Sequence, residues 1–247
     1  MKRTDIVALI IGRGNNTLKN KNILNVLSRP LLEWPAIAAK RSKYIGRYYI
    51  SSDCESILEA GKKVGYENIK RPLWLAEPTS QSSDVVKHAY ETISRKDEAK
   101  IIIVFHANVG TISTEMIDDC IEIHLRNPMS SAVIPSHYKN EYHPYRAKKI
   151  NKDGELEPFI DLSNKKVSAN RQDLEGCLFF DHSFWVLSVE RGIKSKVGQP
   201  PWPVMGNSII PYITEGCFDV HEYEDLLRTE KWIKEKGLDV IYKNEGY

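Results

Sequence analysis

The sequence predicts an α/β fold with a mostly parallel sheet and helices on both faces. Residues 6–11 form a continuous apolar run that ends at Gly12, a pattern typical of a strand buried on both faces. Similar apolar runs alternate with stretches of helical periodicity, which is the order of strand and helix in a parallel sheet. With 247 residues, of which 41% are hydrophobic, the chain can bury one such core. We therefore expect a single domain over residues 1–247.

The predicted elements follow from apolar runs and from helical spacing. Strands are predicted at 6–11, 48–50, 101–105, 132–135 and 209–213, and the aromatic runs 178–180 and 184–187 flank Asp181 and His182. Helices are predicted at 30–42, 56–64, 85–93, 115–126 and 223–236. One of Ser82, Ser83 and Asp84 can cap the third helix, and Ser113 or Thr114 can cap the fourth.

The segment 137–171 departs from this pattern. It is rich in Tyr, Lys, Asn and Asp, and Asn151 to Gly154 read as the turn of a hairpin. We expect an inserted extension of strands and loops outside the main sheet.

The loop after the first strand is a candidate site for an anion with several phosphates. Gly12 and Gly14 allow close approach of the backbone, and Arg13 and Lys21 supply positive charge. The spacing is neither G-x-x-x-x-G-K-[ST] nor a complete G-x-G-x-x-G, because Thr17 stands where the third glycine would be. An exposed turn with solvated cations is the alternative at this point.

Polar residues at strand ends are further site candidates, since open α/β sheets bind ligands there. His106 follows the predicted strand 101–105, and Asp181 and His182 separate two aromatic clusters. Each could instead form an ordinary hydrogen bond with a neighbouring loop or strand.

Bulk properties exclude several classes of function. A formal net charge of +2 argues against general nucleic-acid binding. The apolar part of the N-terminus is too short for a signal peptide, and no apolar run is long enough to span a bilayer. Four scattered cysteines indicate reduced thiols rather than disulfides or a zinc site. We expect a cytoplasmic protein that binds neither nucleic acid nor membrane.

Several motifs are informative together. They are GRGNNTLKNKNI (12–23), RPLLEWPAIAAKRS (29–42), YISSD (49–53), RPLWLAEPTSQSSDVVKHA (71–89), HPY (143–145) and FDVH (218–221) followed by Asp225. In order and spacing they resemble the motifs of the cytidylyltransferases that activate nonulosonic acids, typified by CMP-sialic acid synthetase. The resemblance covers nearly the whole chain.

The resemblance implies a Rossmann-like fold of the nucleotide-diphospho-sugar transferase type. It also implies transfer of CMP from CTP to a sialic-acid-like 2-keto-3-deoxy sugar acid, with release of pyrophosphate. It implies that the nucleotide is held by Gly12, Arg13, Gly14, Asn15, Lys21, Asn22, Arg71, Ala76 and Ser82. The sugar acid would be held by His106, Asn108, Gln172, Asp181 and His182. Arg13, Lys21 and Asp219 would be the catalytic residues.

Asp219 and His221 stand at the metal-ligand positions of the family, where His221 replaces a second aspartate. The expected cofactor is Mg²⁺, with Mn²⁺ as an alternative because imidazole suits it better. Asp219 could instead cap a helix, and His221 could begin one without binding metal. The resemblance further implies a homodimer held by 137–171.

The sequence also departs from the family pattern. The first loop is about one residue shorter, 106–112 replaces Q-P-T-S-P-L-R, and Asp181-His182 replaces N-G. The last two changes suggest a sugar acid other than N-acetylneuraminate. Alternative functions are a nucleotidyltransferase for another sugar acid or a polyol phosphate, and a catalytically silent nucleotide-binding protein.

Overall fold

The apolar run at the start of the chain forms the central strand of the sheet. The computed structural model describes residues 2–243, and in it the first strand, β1, spans Arg3–Ile11. Residues 6–11 are buried because parallel strands flank β1 on both edges and side chains cover both faces. Glycine then ends the strand and opens the loop 12–22.

The main sheet is mixed and mostly parallel. Its eight strands are β1, β4 (Ile45–Ser52), β5 (Glu67–Lys70), β6 (Ile101–His106), β7 (Ala132–Tyr138), β10 (Leu178–Phe180), β11 (Phe184–Ser188) and β12 (Ile209–Ile213). The spatial order is β10-β7-β11-β6-β1-β4-β5, and β12 pairs with β7. β11 is antiparallel to β6 and β7, and β10 is antiparallel to β7, whereas the other pairings are parallel. Two short pairs lie outside this sheet: β2 (Asn25–Val26) with β3 (Arg29–Pro30), and β8 (Lys148–Ile150) with β9 (Leu156–Pro158).

Helices cover both faces of the sheet, as the sequence predicts. They are α1 (Glu33–Arg41), α2 (Glu55–Lys63), α3 (Ser82–Ser94), α4 (Thr114–Arg126), α5 (Tyr223–Glu235) and α6 (Leu238–Lys243). The apolar residues of α1, α2, α4, α5 and α6 pack with one face of β1 and β6, and those of α3 pack with the other. Among residues 2–243, no helix combines the length and the apolar character needed to cross a lipid bilayer.

One of the two capping predictions is wrong. The side chain of Ser113 caps α4 by accepting a hydrogen bond from the backbone N–H of Met116 at 3.3 Å, as expected. Helix α3 begins at Ser82, its N-cap is Gln81, and no side chain caps it. The predicted capping residues therefore lie inside the first turn of that helix.

The sheet has an opening between the end of β10 and the start of β11. These two strands pair with successive stretches of β7, and residues 181–183 interrupt the pairing. Within the interruption, His182 adopts a left-handed backbone conformation with φ of 51°. The opening lies at the carboxyl end of β6, because the N–H of His106 donates to the carbonyl of Ser183 at 3.2 Å.

The segment 137–171 begins in the last two residues of β7 and then leaves the sheet. It contains two 3-10 turns, Asn140–Tyr142 and Pro144–Arg146, and the hairpin of β8 and β9. The hairpin carries exposed apolar side chains, with Ile150 72% and Leu156 73% exposed. A two-stranded hairpin of this kind has little core of its own.

Candidate active site

The candidate site lies at the carboxyl ends of the parallel strands β1, β4 and β6. The loop 12–22 follows β1, Asp53 follows β4, and His106 ends β6. The segment around Asp219 joins them through an antiparallel bridge between Asp219 and Val109. Loops from separate parts of the chain converge here because parallel strands present their carboxyl ends at one edge.

Close backbone approach requires the two glycines of the first loop. A Cβ on Gly12 would lie 2.8 Å from the Cβ of Ala107, and one on Gly14 would lie 2.7 Å from the Cβ of Cys54. The N–H of Gly14 donates to Oδ1 of Asp53 at 3.0 Å. The loop is therefore packed directly against the ends of β4 and β6.

Arg13 is held at the rim of this loop. Its guanidinium donates to the carbonyl of Glu77 at 3.0 Å, which ties the loop to the segment before α3. Its own carbonyl accepts from the side-chain amides of Asn16 at 2.7 Å and Asn22 at 2.9 Å. Asn22 is buried, and its side chain stabilises the backbone of the loop through this hydrogen bond.

Lys21 lies beside the segment that carries Asp219. The ammonium group of Lys21 donates to the carbonyl of Val220 at 3.0 Å. Burial lowers the pKa of Lys21, and the nearby Asp219 carboxylate partly offsets this effect. The amide of Asn108 donates to Oδ1 of Asp219, which fixes the carboxylate beside the lysine. A cation and an anion are thus placed side by side where charge would develop during phosphoryl chemistry.

Arg71 is buried beside the same strand ends. Its guanidinium donates to the carbonyl of Ser51 at 2.8 Å. Burial lowers its pKa to about 10, while the Asp53 carboxylate opposes that shift. The guanidinium therefore stays charged at neutral pH.

Three buried polar atoms on one face of the sheet opening have no hydrogen-bond partner within residues 2–243. They are Nε2 of His106, Oγ of Ser183 and Nε1 of Trp185. The rings of His106 and Trp185 pack edge to face with centroids 4.8 Å apart. Burial, with smaller contributions from His182 and Lys21, lowers the pKa of His106 to about 3, so its imidazole is neutral. Unpaired buried polar atoms are unfavourable unless a ligand or water satisfies them.

His182 lies beside this group. Its ring packs edge to face on Trp202 with centroids 4.7 Å apart and lies 6.3 Å from the ring of His106. Burial lowers the pKa of His182, and Asp219 and Asp181 oppose the shift.

Asp181, by contrast, is fully enclosed by its neighbours. One carboxylate oxygen contacts Nδ1 of His137, and the other accepts from the hydroxyl of Thr214 at 2.6 Å. The side chain is 0% exposed, so this geometry disfavours the predicted contact between Asp181 and a sugar.

The other predicted residues are placed less centrally. Ala76 is buried after the turn Leu73–Leu75, and Ser82 begins α3. Asn15 and Gln172 are exposed, and Gln172 lies in the 3-10 turn Arg171–Asp173, which follows the hairpin segment.

Sequence reasoning missed several members of the site. Asp53 could have been found from its position after a strand. The contributions of Glu77 and Trp185 depend on a backbone carbonyl and on ring packing, for which the sequence carries no signal.

The pair formed by Asp219 and His221 could hold a divalent metal. Their Oδ2 and Nε2 atoms lie 3.1 Å apart. Within residues 2–243, no three His, Cys, Asp or Glu side chains come together as a metal-binding group. Mg²⁺ usually takes one or two carboxylates and completes its shell with phosphate oxygens and water. The residues therefore fit a metal that is bound together with a nucleotide.

Together, the fold and site define an α/β protein with a cationic loop and a carboxylate at the carboxyl edge of its sheet. The family model described as "Cytidylyltransferase" matches residues 7–174. The chain belongs to the cytidylyltransferase family, and the predicted resemblance is confirmed.

Two curated relatives illustrate the range of the family. The N-acylneuraminate cytidylyltransferase of Escherichia coli is 33% identical over 88 residues, which cover 35% of this chain and 21% of that protein. The 3-deoxy-manno-octulosonate cytidylyltransferase of Bdellovibrio bacteriovorus is 24% identical over 94% of this chain and 99% of that protein. The chain thus spans about a fifth of the length of the Escherichia coli relative, and it spans 18% of a further relative from Helicobacter pylori, named "Pseudaminic acid cytidylyltransferase and UDP-2,4-diacetamido-2,4,6-trideoxy-beta-L-altropyranose hydrolase".

A solved structure confirms the fold. CMP:2-keto-3-deoxy-manno-octonic acid synthetase complexed with CTP superposes with a TM-score of 0.68 and covers 94% of this chain and 99% of that chain. The identity is 13%, so this likeness concerns the fold alone.

Proposed function

We propose that the chain transfers CMP from CTP to a 2-keto-3-deoxy sugar acid of the nonulosonate class. The observation that carries this proposal is the position of Lys21, which donates to the carbonyl of Val220 next to Asp219, with Arg13 in the same loop at the carboxyl edge of the sheet. The family membership and the matched N-acylneuraminate and octulosonate relatives support it.

In the proposed reaction, the anomeric hydroxyl oxygen of the sugar acid forms a bond to the α-phosphorus of CTP. The bond between that phosphorus and the oxygen bridging to the β-phosphate breaks, pyrophosphate leaves, and the hydroxyl proton is released to solvent. Arg13 and Lys21 bind the triphosphate and stabilise the charge that develops on it. The packed glycine loop brings backbone N–H groups close to the same phosphates.

The metal is part of this proposal. Asp219 and His221 would hold Mg²⁺ or Mn²⁺ together with phosphate oxygens. Once bound, the ion would neutralise triphosphate charge and polarise the α-phosphoryl group. Asn108 keeps Oδ1 of Asp219 oriented toward the site, and Lys21 limits repulsion between that carboxylate and the incoming nucleotide.

The half-buried ring of His106 supports an acid-sugar substrate. It offers a neutral imidazole next to the aromatic ring of His182, whereas the unpaired groups of Ser183 and Trp185 are fully buried and would meet a ligand only through ordered water. Uncharged polar groups framed by aromatic rings suit the hydroxyl or amide groups of a sugar.

An octulosonate is the second candidate substrate. The relative from Bdellovibrio bacteriovorus, named for 3-deoxy-manno-octulosonate, matches nearly the full length of both chains. An octulosonate has one carbon fewer than a nonulosonate, so comparing the two acids tests which chain length the site accepts.

A panel assay tests the proposal. Purified protein is incubated with Mg²⁺, CTP or UTP, and each of several nonulosonic acids or 3-deoxy-manno-octulosonate, and pyrophosphate and nucleotide-sugar are measured. We expect product with CTP and a nonulosonic acid, and a markedly lower rate with UTP, because a buried partner left unpaired by the wrong base is unfavourable by about 1–3 kcal/mol. Product only with the octulosonate selects the second candidate. Nucleotide binding without product from any acid refutes both.

A further inference from the structure

Asp181 is the centre of a buried hydrogen-bond cluster at the sheet opening. The residue is 3% exposed. Its carboxylate contacts Nδ1 of His137 and accepts from the hydroxyl of Thr214 at 2.6 Å. Its backbone N–H donates to the carbonyl of Pro135 at 2.9 Å, and its carbonyl accepts from the thiol of Cys217. We call Asp181, His137, Thr214 and Cys217 the Asp181 cluster.

The members of the Asp181 cluster come from different strands. His137 lies near the end of β7, and Thr214 directly follows β12. Asp181 itself lies between β10 and β11. The cluster therefore joins three strand ends at the point where the regular pairing of the sheet is interrupted.

A series of contacts connects the Asp181 cluster to the segment that carries Asp219. The hydroxyl of Thr214 also accepts from the N–H of Gly216 at 3.1 Å, which sets the turn after β12. Two residues later, the N–H of Phe218 donates to Thr111 Oγ1 at 3.1 Å, and Asp219 then pairs with Val109. The position of Asp219 thus follows from contacts that begin at Thr214.

The Asp181 cluster is also adjacent to His182. This histidine directly follows Asp181 and has a left-handed backbone, which is uncommon for a residue other than glycine. Such a conformation persists only where surrounding contacts hold it, and the bonds of Asp181 to Pro135 and to the Asp181 cluster are the contacts next to it.

We infer that Asp181 is a positioning residue, which holds His182 and the segment carrying Asp219 in register across the candidate site. A direct sugar contact would require an accessible carboxylate, and the side chain of Asp181 is 0% exposed. The inference rests on the proposed function only where kcat and KM are measured.

The kinetic test uses two substitutions. Thr214→Val leaves the carboxylate of Asp181 in place, and Asp181→Asn removes its charge. We expect Asp181→Asn and Thr214→Val each to lower kcat by about 10- to 100-fold, the scale of a small misplacement of reacting groups. The double variant loses no more than the worse single variant, since both act through one network.

Two matched controls accompany these variants. Thr214→Ser keeps the hydroxyl and restores kcat. Thr92→Val removes a comparable hydroxyl, which donates to the carbonyl of His88 at 3.0 Å on α3, and leaves kcat unchanged. A drop in melting temperature with unchanged kcat in Asp181→Asn and Thr214→Val would show a purely structural role and overturn the inference. An increase in KM for the sugar acid in Asp181→Asn, with normal kinetics in Thr214→Val, would show direct substrate contact and also overturn it.

A second readout separates this inference from the proposed function. Amide hydrogen exchange in the peptide 214–220 should be at least about tenfold faster in Asp181→Asn and Thr214→Val, because local opening is no longer restrained. Exchange in β1 should not change. If the wild type makes no product with any sugar acid, the proposed function fails and exchange alone tests the positioning role. Unchanged exchange in 214–220 would refute it.

Discussion

The first loop offers a prediction that separates a bound-phosphate contact from general positive charge. Lys21 and Lys19 lie two residues apart in the same loop, and each carries one charge. Lys21 is partly buried and hydrogen-bonded to Val220, whereas Lys19 is exposed. Lys21→Met and Lys19→Met change the net charge equally, so any effect on long-range attraction of CTP is the same in both.

The expected magnitude follows from the surroundings of Lys21. At about 4 Å from a phosphate oxygen, a unit charge in a partly buried site contributes about 4 kcal/mol at an effective dielectric constant of about 20. Removing one preorganised charge contact lowers kcat by roughly 100- to 1000-fold in comparable sites. We therefore expect Lys21→Met to lower kcat/KM for CTP by about 100-fold or more, and Lys19→Met to lower it only a few-fold.

The assay is initial-rate pyrophosphate release at varied CTP and saturating sugar acid, with thermal denaturation measured in parallel. The lost hydrogen bond to Val220 should lower the free energy of unfolding by about 1 kcal/mol, which leaves the protein folded at the assay temperature. Equal effects of the two substitutions would mean that only net charge matters. Wild-type kinetics for Lys21→Met would remove this residue from the site.

Three further predictions concern the metal, acid stability and assembly. Asp219→Ala should abolish pyrophosphate release, whereas His221→Asp should retain it with Mg²⁺; an active Asp219→Ala variant contradicts the metal assignment. The pKa of His106 is lowered to about 3, so as pH falls below about 6.5 the unfolded chain binds a proton that the folded protein does not. Denaturant titrations should show the free energy of unfolding falling by up to about 1.4 kcal/mol per pH unit, with a smaller slope in His106→Gln; equal slopes contradict the assignment. We also propose a homodimer held by 137–171, so Ile150→Asp should shift light scattering toward a monomer, and a monomeric wild type refutes this.

The sequence predicted the parts of the fold that depend on apolar patterning. β1 and β6 are buried on both faces, so their apolar runs are unmistakable. β5 was missed because only one residue of its ENIK sequence, Ile69, is buried. The antiparallel direction of β11 could not be predicted, because an apolar run has the same pattern in either direction.

The candidate site was predicted unevenly for a similar reason. Gly12, Gly14, Arg13 and Lys21 form a local motif, and local motifs can be read from the sequence. The bond from Asn108 to Asp219 joins residues 111 positions apart. The enclosure of Asp181 by residues of two other strands likewise depends on the folded sheet.

The bridge between Val109 and Asp219 means that the candidate site is completed late during synthesis of the chain. During synthesis the cationic loop emerges first, and Asp219 emerges about 200 residues later. The family-model match itself ends at residue 174, before this carboxylate. Because Gly12 packs against Ala107, the loop acquires this packing only after β6 has been made, about 110 residues before Asp219. At typical translation rates of about 5–20 residues per second, the cationic loop would therefore be in place for about 5–20 seconds before the carboxylate arrives.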